Sequence, residues 1–141
     1  KLGLQARVDF AGEVFGDAKE NLFAESDVVV APSYVENFGM VIAEALAREV
    51  PVIAGRGTPW EGLHTHECGM WVENDPESLV AAIRQMRTAP LRDMGRRGRC
   101  WMEREFSWEA VSREMLVAFQ NCLDAPRGRS QAETLSRETK G

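Results

Sequence analysis

The chain is poor in the residues that staple small domains and hold metals. Its 141 residues include only three cysteines, Cys68, Cys100 and Cys122, and two histidines, His64 and His66. An odd cysteine count with neither paired-framework nor zinc-ligand spacing excludes a disulfide scaffold, and it fits free thiols in a reducing, cytoplasmic setting. The histidines stand two apart, off any common helix face and without a Cys or Asp pattern, so they are expected at the surface and no metal site is expected. No apolar run approaches the roughly 20 residues that a bilayer span requires, which leaves only peripheral membrane association through a further domain. Basic charge is scarce as well: 17 Lys and Arg against 22 Asp and Glu give a net charge of −5. A phosphate backbone calls for a basic face, so nucleic acid is excluded as the main partner. Arg96, Arg97 and Arg99 form the one basic cluster and read as a solvated helix face.

What is present is ordinary for a globular chain: 44% hydrophobic and 28% charged residues, enough for one domain with a real core. Residues 1–124 read as that domain. From Ala125 the chain turns polar, with Pro126, Gly128, Ser130, Thr134 and Ser136, and residues 125–141 read as a flexible tail. Short apolar strands alternate with helical stretches, the sequence form of an α/β fold with a parallel sheet. Strands are predicted near 7–10, 27–31, 51–54 and 70–73, and helices near 17–25, 39–48, 59–64, 76–87, 90–104 and 107–123. Asp75 and Pro76 supply an N-cap and first helical residue, and Ser107 is a further cap candidate without a capping box.

The most informative stretch is Ser33-Tyr34-Val35-Glu36-Asn37-Phe38-Gly39-Met40-Val41-Ile42-Ala43-Glu44-Ala45. An apolar, β-branched run precedes it and stops at Pro32, as in a strand buried on both faces; good helix formers follow. Gly39, at the turn, lets backbone approach a ligand closely, and the free amides of a first helical turn attract anions. Helix side chains tilt towards the N-terminus, so Glu44 is expected to point back towards the loop carrying Glu36. Two carboxylates would repel a phosphate, but as pure acceptors they suit the hydroxyl pairs of a sugar. A ligand with both diols and a diphosphate is a nucleotide sugar.

With Glu36 and Glu44 set in A-P-S-x-x-E-x-F-G-x-x-x-x-E-A, the chain resembles the retaining glycosyltransferases of the GT-B fold, family 4 type, also described as glycosyl transferases group 1. The similarity continues through Val8-Asp9-Phe10-Ala11-Gly12-Glu13-Val14, Pro51-Val52-Ile53-Ala54, Cys68-Gly69-Met70-Trp71-Val72, Asp75-Pro76-Glu77-Ser78-Leu79, Met94-Gly95-Arg96-Arg97-Gly98-Arg99 and Phe106-Ser107-Trp108-Glu109. One departure is Glu49, where the family usually has glycine. The resemblance implies a Rossmann-like parallel sheet with flanking helices, forming part of the C-terminal domain of a GT-B fold. It also implies transfer of a glycosyl group from a nucleotide-diphosphate sugar, with no cofactor and no metal.

By that resemblance Glu36 is the catalytic-site carboxylate, holding and stabilising the transferred sugar, and Glu44 bonds the ribose diol. The structural alternatives are an exposed loop carboxylate at Glu36 and a helix glutamate satisfied by backbone or arginine at Glu44. Asn37, Phe38, Gly39, Met40 and Val41 would bind the donor through backbone amides, and Gly12, Glu13 and Val14 would meet the base with theirs. The loop Gly57-Thr58-Pro59-Trp60-Glu61 resembles a variant among transferases that build bacterial surface polysaccharides or lipopolysaccharide, and Trp60 reads first as a packing residue. Asp27, Trp71 and Trp101 read as structural.

In the family, two further strands with a cationic Arg/Lys pair and an N-terminal acceptor domain come before the point where this sequence starts. The chain therefore reads as a fragment, a truncated product or one half of a split enzyme, inactive without that domain. Its last helix resembles the segment that crosses towards the acceptor domain, and its apolar face suggests self-association. Two other readings share the motif: a GT-B-type nucleotide-sugar epimerase, and a nucleotide-sugar-binding module without catalysis.

Overall fold

The computed structural model describes residues 3–124. Along them run α1 (Gly16–Glu25), β1 (Val29–Ala31), α2 (Met40–Ala47), β2 (Val52–Gly55), α3 (Gly62–Thr65), β3 (Gly69–Val72), α4 (Pro76–Met86), α5 (Leu91–Glu105) and α6 (Trp108–Asp124). The strands form a parallel sheet in the order β1-β2-β3, with Val29 opposite Val52 and Val52 opposite Gly69. All four residues of β2 are buried. Alternation along that strand divides the core in two. Val52 and Ala54 pack with Ile42, Ala45 and Leu46 of α2, Leu63 of α3, and Trp101 and Met102 of α5. Ile53 joins Ala82 and Met86 of α4 and Met94. Helices thus cover both faces, and the fold is α/β, as predicted.

The expected strand at 7–10 does not form. A strand exists by pairing and burial, and this segment has neither: the amides of Arg7 and Val8 turn back to the Leu4 carbonyl, and Phe10 is exposed. The helix expected at 59–64 starts later, because Pro59 and Trp60 belong to the turn that follows β2. Both expected caps are present. Asp75 accepts from the amides of Glu77 and Ser78 at 3.0 and 2.9 Å, and the Ser78 side chain together with these amides holds its carboxyl below the usual carboxylate range. Ser107 Oγ accepts from the Ala110 amide at 3.2 Å.

The chain divides into units Lys1–Phe106 and Ser107–Gly141. The second is described here by α6 alone, which exposes Met115, Leu116, Phe119 and Leu123. The tail expected at 125–141 lies outside the described residues.

Within the first unit, α2 ends where a glycine was expected. Glu49 takes that left-handed position itself, with φ of 63°, and the Glu49 and Val50 amides close the helix onto the carbonyls of Leu46 and Ala45 at 3.0 and 2.9 Å. Against this end lies α5, close enough that a Cβ at Gly95 would overlap the Glu49 carbonyl, and one at Gly98 would crowd Leu46. The basic cluster of α5 is spent here too. Arg99 lies 3.5 Å from the Glu49 carboxylate, and Arg97 donates to the Glu67 carbonyl at 2.8 and 3.0 Å.

Two outcomes are expected. Gly95→Ala forces α5 away from α2 and destabilises the fold by about 1–3 kcal/mol, read from urea unfolding; an unchanged midpoint would show that the helices are not in backbone contact. Cys68 is buried and its thiol is pushed up to about 11 by burial, whereas Cys100 and Cys122 are exposed. A disulfide-exchange reagent should therefore label Cys100 and Cys122 in the native protein and reach Cys68 only on unfolding.

Candidate functional site

The carboxyl ends of parallel strands are where open α/β sheets bind ligands, and here they carry three loops. The loop after β1 holds Tyr34, Val35, Glu36 and Asn37, all exposed. Its backbone is fastened to the loop after β2. The Glu36 amide donates to the Gly57 carbonyl at 3.1 Å, and the indole Nε1–H of Trp60 donates to the Phe38 carbonyl. Gly57 lies so close beneath Tyr34 that a Cβ would overlap the Tyr34 carbonyl. The loop after β3 closes the third side, where Asn74 Nδ2 donates to the Pro32 carbonyl at 2.8 Å. Tyr34, Arg56, Gly57, Glu73, Asn74 and Asp75 line a cleft of about 520 Å³ there.

Gly39 then turns the chain into α2. Its φ of 80° and ψ of 66° are left-handed, and a Cβ there would press on Glu36 Cγ and Ile42 Cδ1 at 3.1 and 3.2 Å. No side chain caps the helix. Met40 and Val41 lie exposed on the first turn, an open end of the kind that draws an anion. The Phe38 ring packs between Trp60 and Phe106, with centroids 5.2 and 5.8 Å away. Its side chain therefore serves packing.

Glu44 is half-buried on α2, and it meets a partner that the sequence reading did not name. Lys19 of α1 approaches its carboxylate to 3.0 Å. Beside that pair, Arg48 binds Glu20 and lies 4.9 Å above the Phe23 ring. The Glu20 carboxyl is held below its ordinary value by its bond to Arg48. Both pairs lie at or near the surface, so they orient α1 on α2 more than they stabilise it. The alternative of a helix glutamate satisfied locally is thus met by a lysine, not by backbone or arginine. Among the described residues no hydrogen bond or ion pair links Glu44 to Glu36.

Gly12, Glu13 and Val14 lie before α1, with Gly12 left-handed at φ 68° and in open space. The structure does not join them by hydrogen bonds to the Glu36 loop. Trp101 is buried, and Trp71 donates to the Thr58 carbonyl at 3.1 Å, both structural as read. His64 is exposed, whereas His66 is half-buried and stacks on Trp101 at 4.4 Å. Among the described residues no three His, Cys, Asp or Glu side chains gather as metal ligands, and no helix is long and apolar enough to cross a membrane.

Residues 1–88 match the family described as Glycosyl transferases group 1. The chain belongs to that family. Among its relatives is the D-inositol 3-phosphate glycosyltransferase of Salinispora tropica, 32% identical over 96% of this chain and 29% of the relative. Another is the GDP-mannose-dependent alpha-(1-6)-phosphatidylinositol dimannoside mannosyltransferase of Mycobacterium tuberculosis, 31% identical over 78% of this chain and 29% of the relative. In structure the chain resembles sucrose-phosphate synthase from Thermosynechococcus elongatus, with a TM-score of 0.73 and 31% identity over 85% of this chain and 31% of that one. The fold is accordingly that of part of a GT-B glycosyltransferase. The chain spans 29% of the length of each of these two relatives.

In this member of the family the loop bearing Glu36 takes its shape from Gly57 and Trp60, neither of which the motif contains. Gly57→Ala is expected to push the Tyr34 carbonyl away, with a loss of about 1–3 kcal/mol in stability and faster hydrogen exchange at the Glu36 amide. Unchanged exchange at that amide would mean that the two loops are not fastened together.

Proposed function

We propose that this chain binds a nucleotide-diphosphate sugar between the loop after β1 and the open end of α2, and donates its glycosyl group to a hydroxyl acceptor with retention at the anomeric carbon. The observation that carries this reading is the arrangement at one strand end: an exposed Glu36, a left-handed Gly39, and an uncapped first turn of α2. Amide donors at a helix N-terminus suit the diphosphate, and an ionised carboxylate suits sugar hydroxyls. As the glycosyl–phosphate bond breaks, charge builds on the leaving diphosphate. Fixed dipoles at α2 stabilise that charge without reorganising, which is where such a site gains rate. Glu36 positions the transferred sugar and stabilises its developing positive charge, while Asn37, Phe38, Gly39, Met40 and Val41 contribute backbone.

Glu44 receives the ribose diol in this reading, with the Lys19 ammonium at 3.0 Å orienting the carboxylate. Gly12, Glu13 and Val14 serve the base. The acceptor is held by a separate N-terminal domain, towards which α6 and its exposed apolar residues lead; without that domain the same face favours self-association. The family loop variant at Gly57 to Glu61 favours a role in bacterial surface polysaccharide or lipopolysaccharide synthesis, carried out in the cytoplasm. No cofactor enters this scheme.

Calorimetry with UDP, GDP and their sugar conjugates tests the assignment. Glu44→Gln is expected to weaken the nucleotides themselves by about tenfold or more, the worth of one charge-assisted hydrogen bond. Glu36→Gln is expected to leave the nucleotides bound as before and to weaken only the sugar conjugates. If neither substitution changes any of these affinities, both carboxylates are structural and the reading fails.

A further inference from the structure

The loop after β1 and the loop after β2 differ in how they are braced. The second is rigid by its own bonds: the Thr58 amide and hydroxyl both donate to the Gly55 carbonyl, at 3.0 and 2.8 Å, and the Trp60 carbonyl accepts from the Leu63 amide at 3.0 Å. The Trp60 ring is 1% exposed, stacked against Phe106 at 5.6 Å and edge-on to Trp101 at 5.5 Å. The first loop has exposed side chains from Tyr34 to Asn37 and depends on its neighbour.

The bond from Trp60 falls on one particular peptide. A trans peptide is planar, and its C=O and N–H point to opposite sides. With the Phe38 carbonyl drawn to the indole of Trp60, the Gly39 N–H faces away from it. That amide donates to no backbone or side-chain acceptor among the described residues, although Gly39 is buried. An unpaired amide at a buried residue costs free energy unless something else accepts it.

We propose that Trp60 is a positioning residue for the donor diphosphate: its indole N–H fixes the Phe38–Gly39 peptide so that the Gly39 amide, ahead of those of Met40 and Val41, is presented to a ligand oxygen. This rests on the donor-binding reading above, and it gives Trp60 a part beyond packing. A ring of the same burial without the N–H would keep the aromatic cluster and release the peptide.

Trp60→Phe in the full chain tests this, with uridine, guanosine, UDP and GDP as probes in calorimetry or NMR titration and thermal unfolding as the control. The expected result is a loss of about tenfold in affinity for the diphosphates, unchanged affinity for the nucleosides, and a melting point within a few degrees of the parent. Equal loss for nucleosides and diphosphates, or no loss for either, overturns the proposal while leaving the donor reading in place. A parent chain that binds neither UDP nor GDP overturns both. Should Trp60→Phe fail to fold, the parent chain labelled with ¹⁵N gives the answer: UDP or GDP is expected to shift the Gly39 amide and the Trp60 indole resonance together. A Gly39 amide that stays unmoved at saturation refutes the proposal.

Discussion

Strand β2 pairs on both edges and buries every one of its residues, and the arrangement of the site follows from that double pairing. Because both partners run parallel to it, all three strands end on the same side of the sheet. The loops that leave them must then share a small area, and backbone settles against backbone. Gly57 and Gly55 are glycines for this reason: a side chain at the first would overlap the Tyr34 carbonyl, and one at the second would come within 3.0 Å of the Ser33 carbonyl. The loop with Glu36 is therefore shaped from outside, by residues some twenty positions later in the chain.

A similar economy holds α2. Its core face, Ile42, Ala45 and Leu46, is buried, and burying a side chain such as Ile42 or Leu46 contributes about 1.5–3 kcal/mol. Gly95 and Gly98 of α5 give up about 0.5–1 kcal/mol each in helix propensity, and the close contact they permit seals that core. The helix that begins at Gly39 is thus clamped at its C-terminal end.

Much of this was legible in the sequence because it is written locally. Period and composition located β1, β2, β3 and the long helices to within a few residues, and the caps at Asp75 and Ser107 follow from short-range hydrogen bonding. The segment at 7–10 misled for a physical reason: β-branched and aromatic residues describe what a strand would look like, whereas its existence depends on a partner elsewhere. Glu36 and Gly39 were readable from the motif. Lys19 opposite Glu44, and Trp60 behind Phe38, were not, since each joins residues whose separation carries no period. A Trp in a turn, followed by a short helix, looks the same whether its indole N–H serves the core or a neighbouring loop.

Two helix ends carry glutamate in the left-handed conformation that usually falls to glycine, Glu49 after α2 and Glu67 after α3. Each faces an arginine of α5, at 3.5 Å for Arg99 and 3.8 Å for Arg97, and all four side chains are solvent-exposed. Coulombic contacts at such a surface are screened within about 8 Å at physiological ionic strength, whereas the glycine contacts of α5 and the sheet pairing are not. Added salt therefore weakens these two contacts to α5 without loosening the sheet, so the ends of α2 and α3 that meet α5 respond to the ionic surroundings while the strands do not.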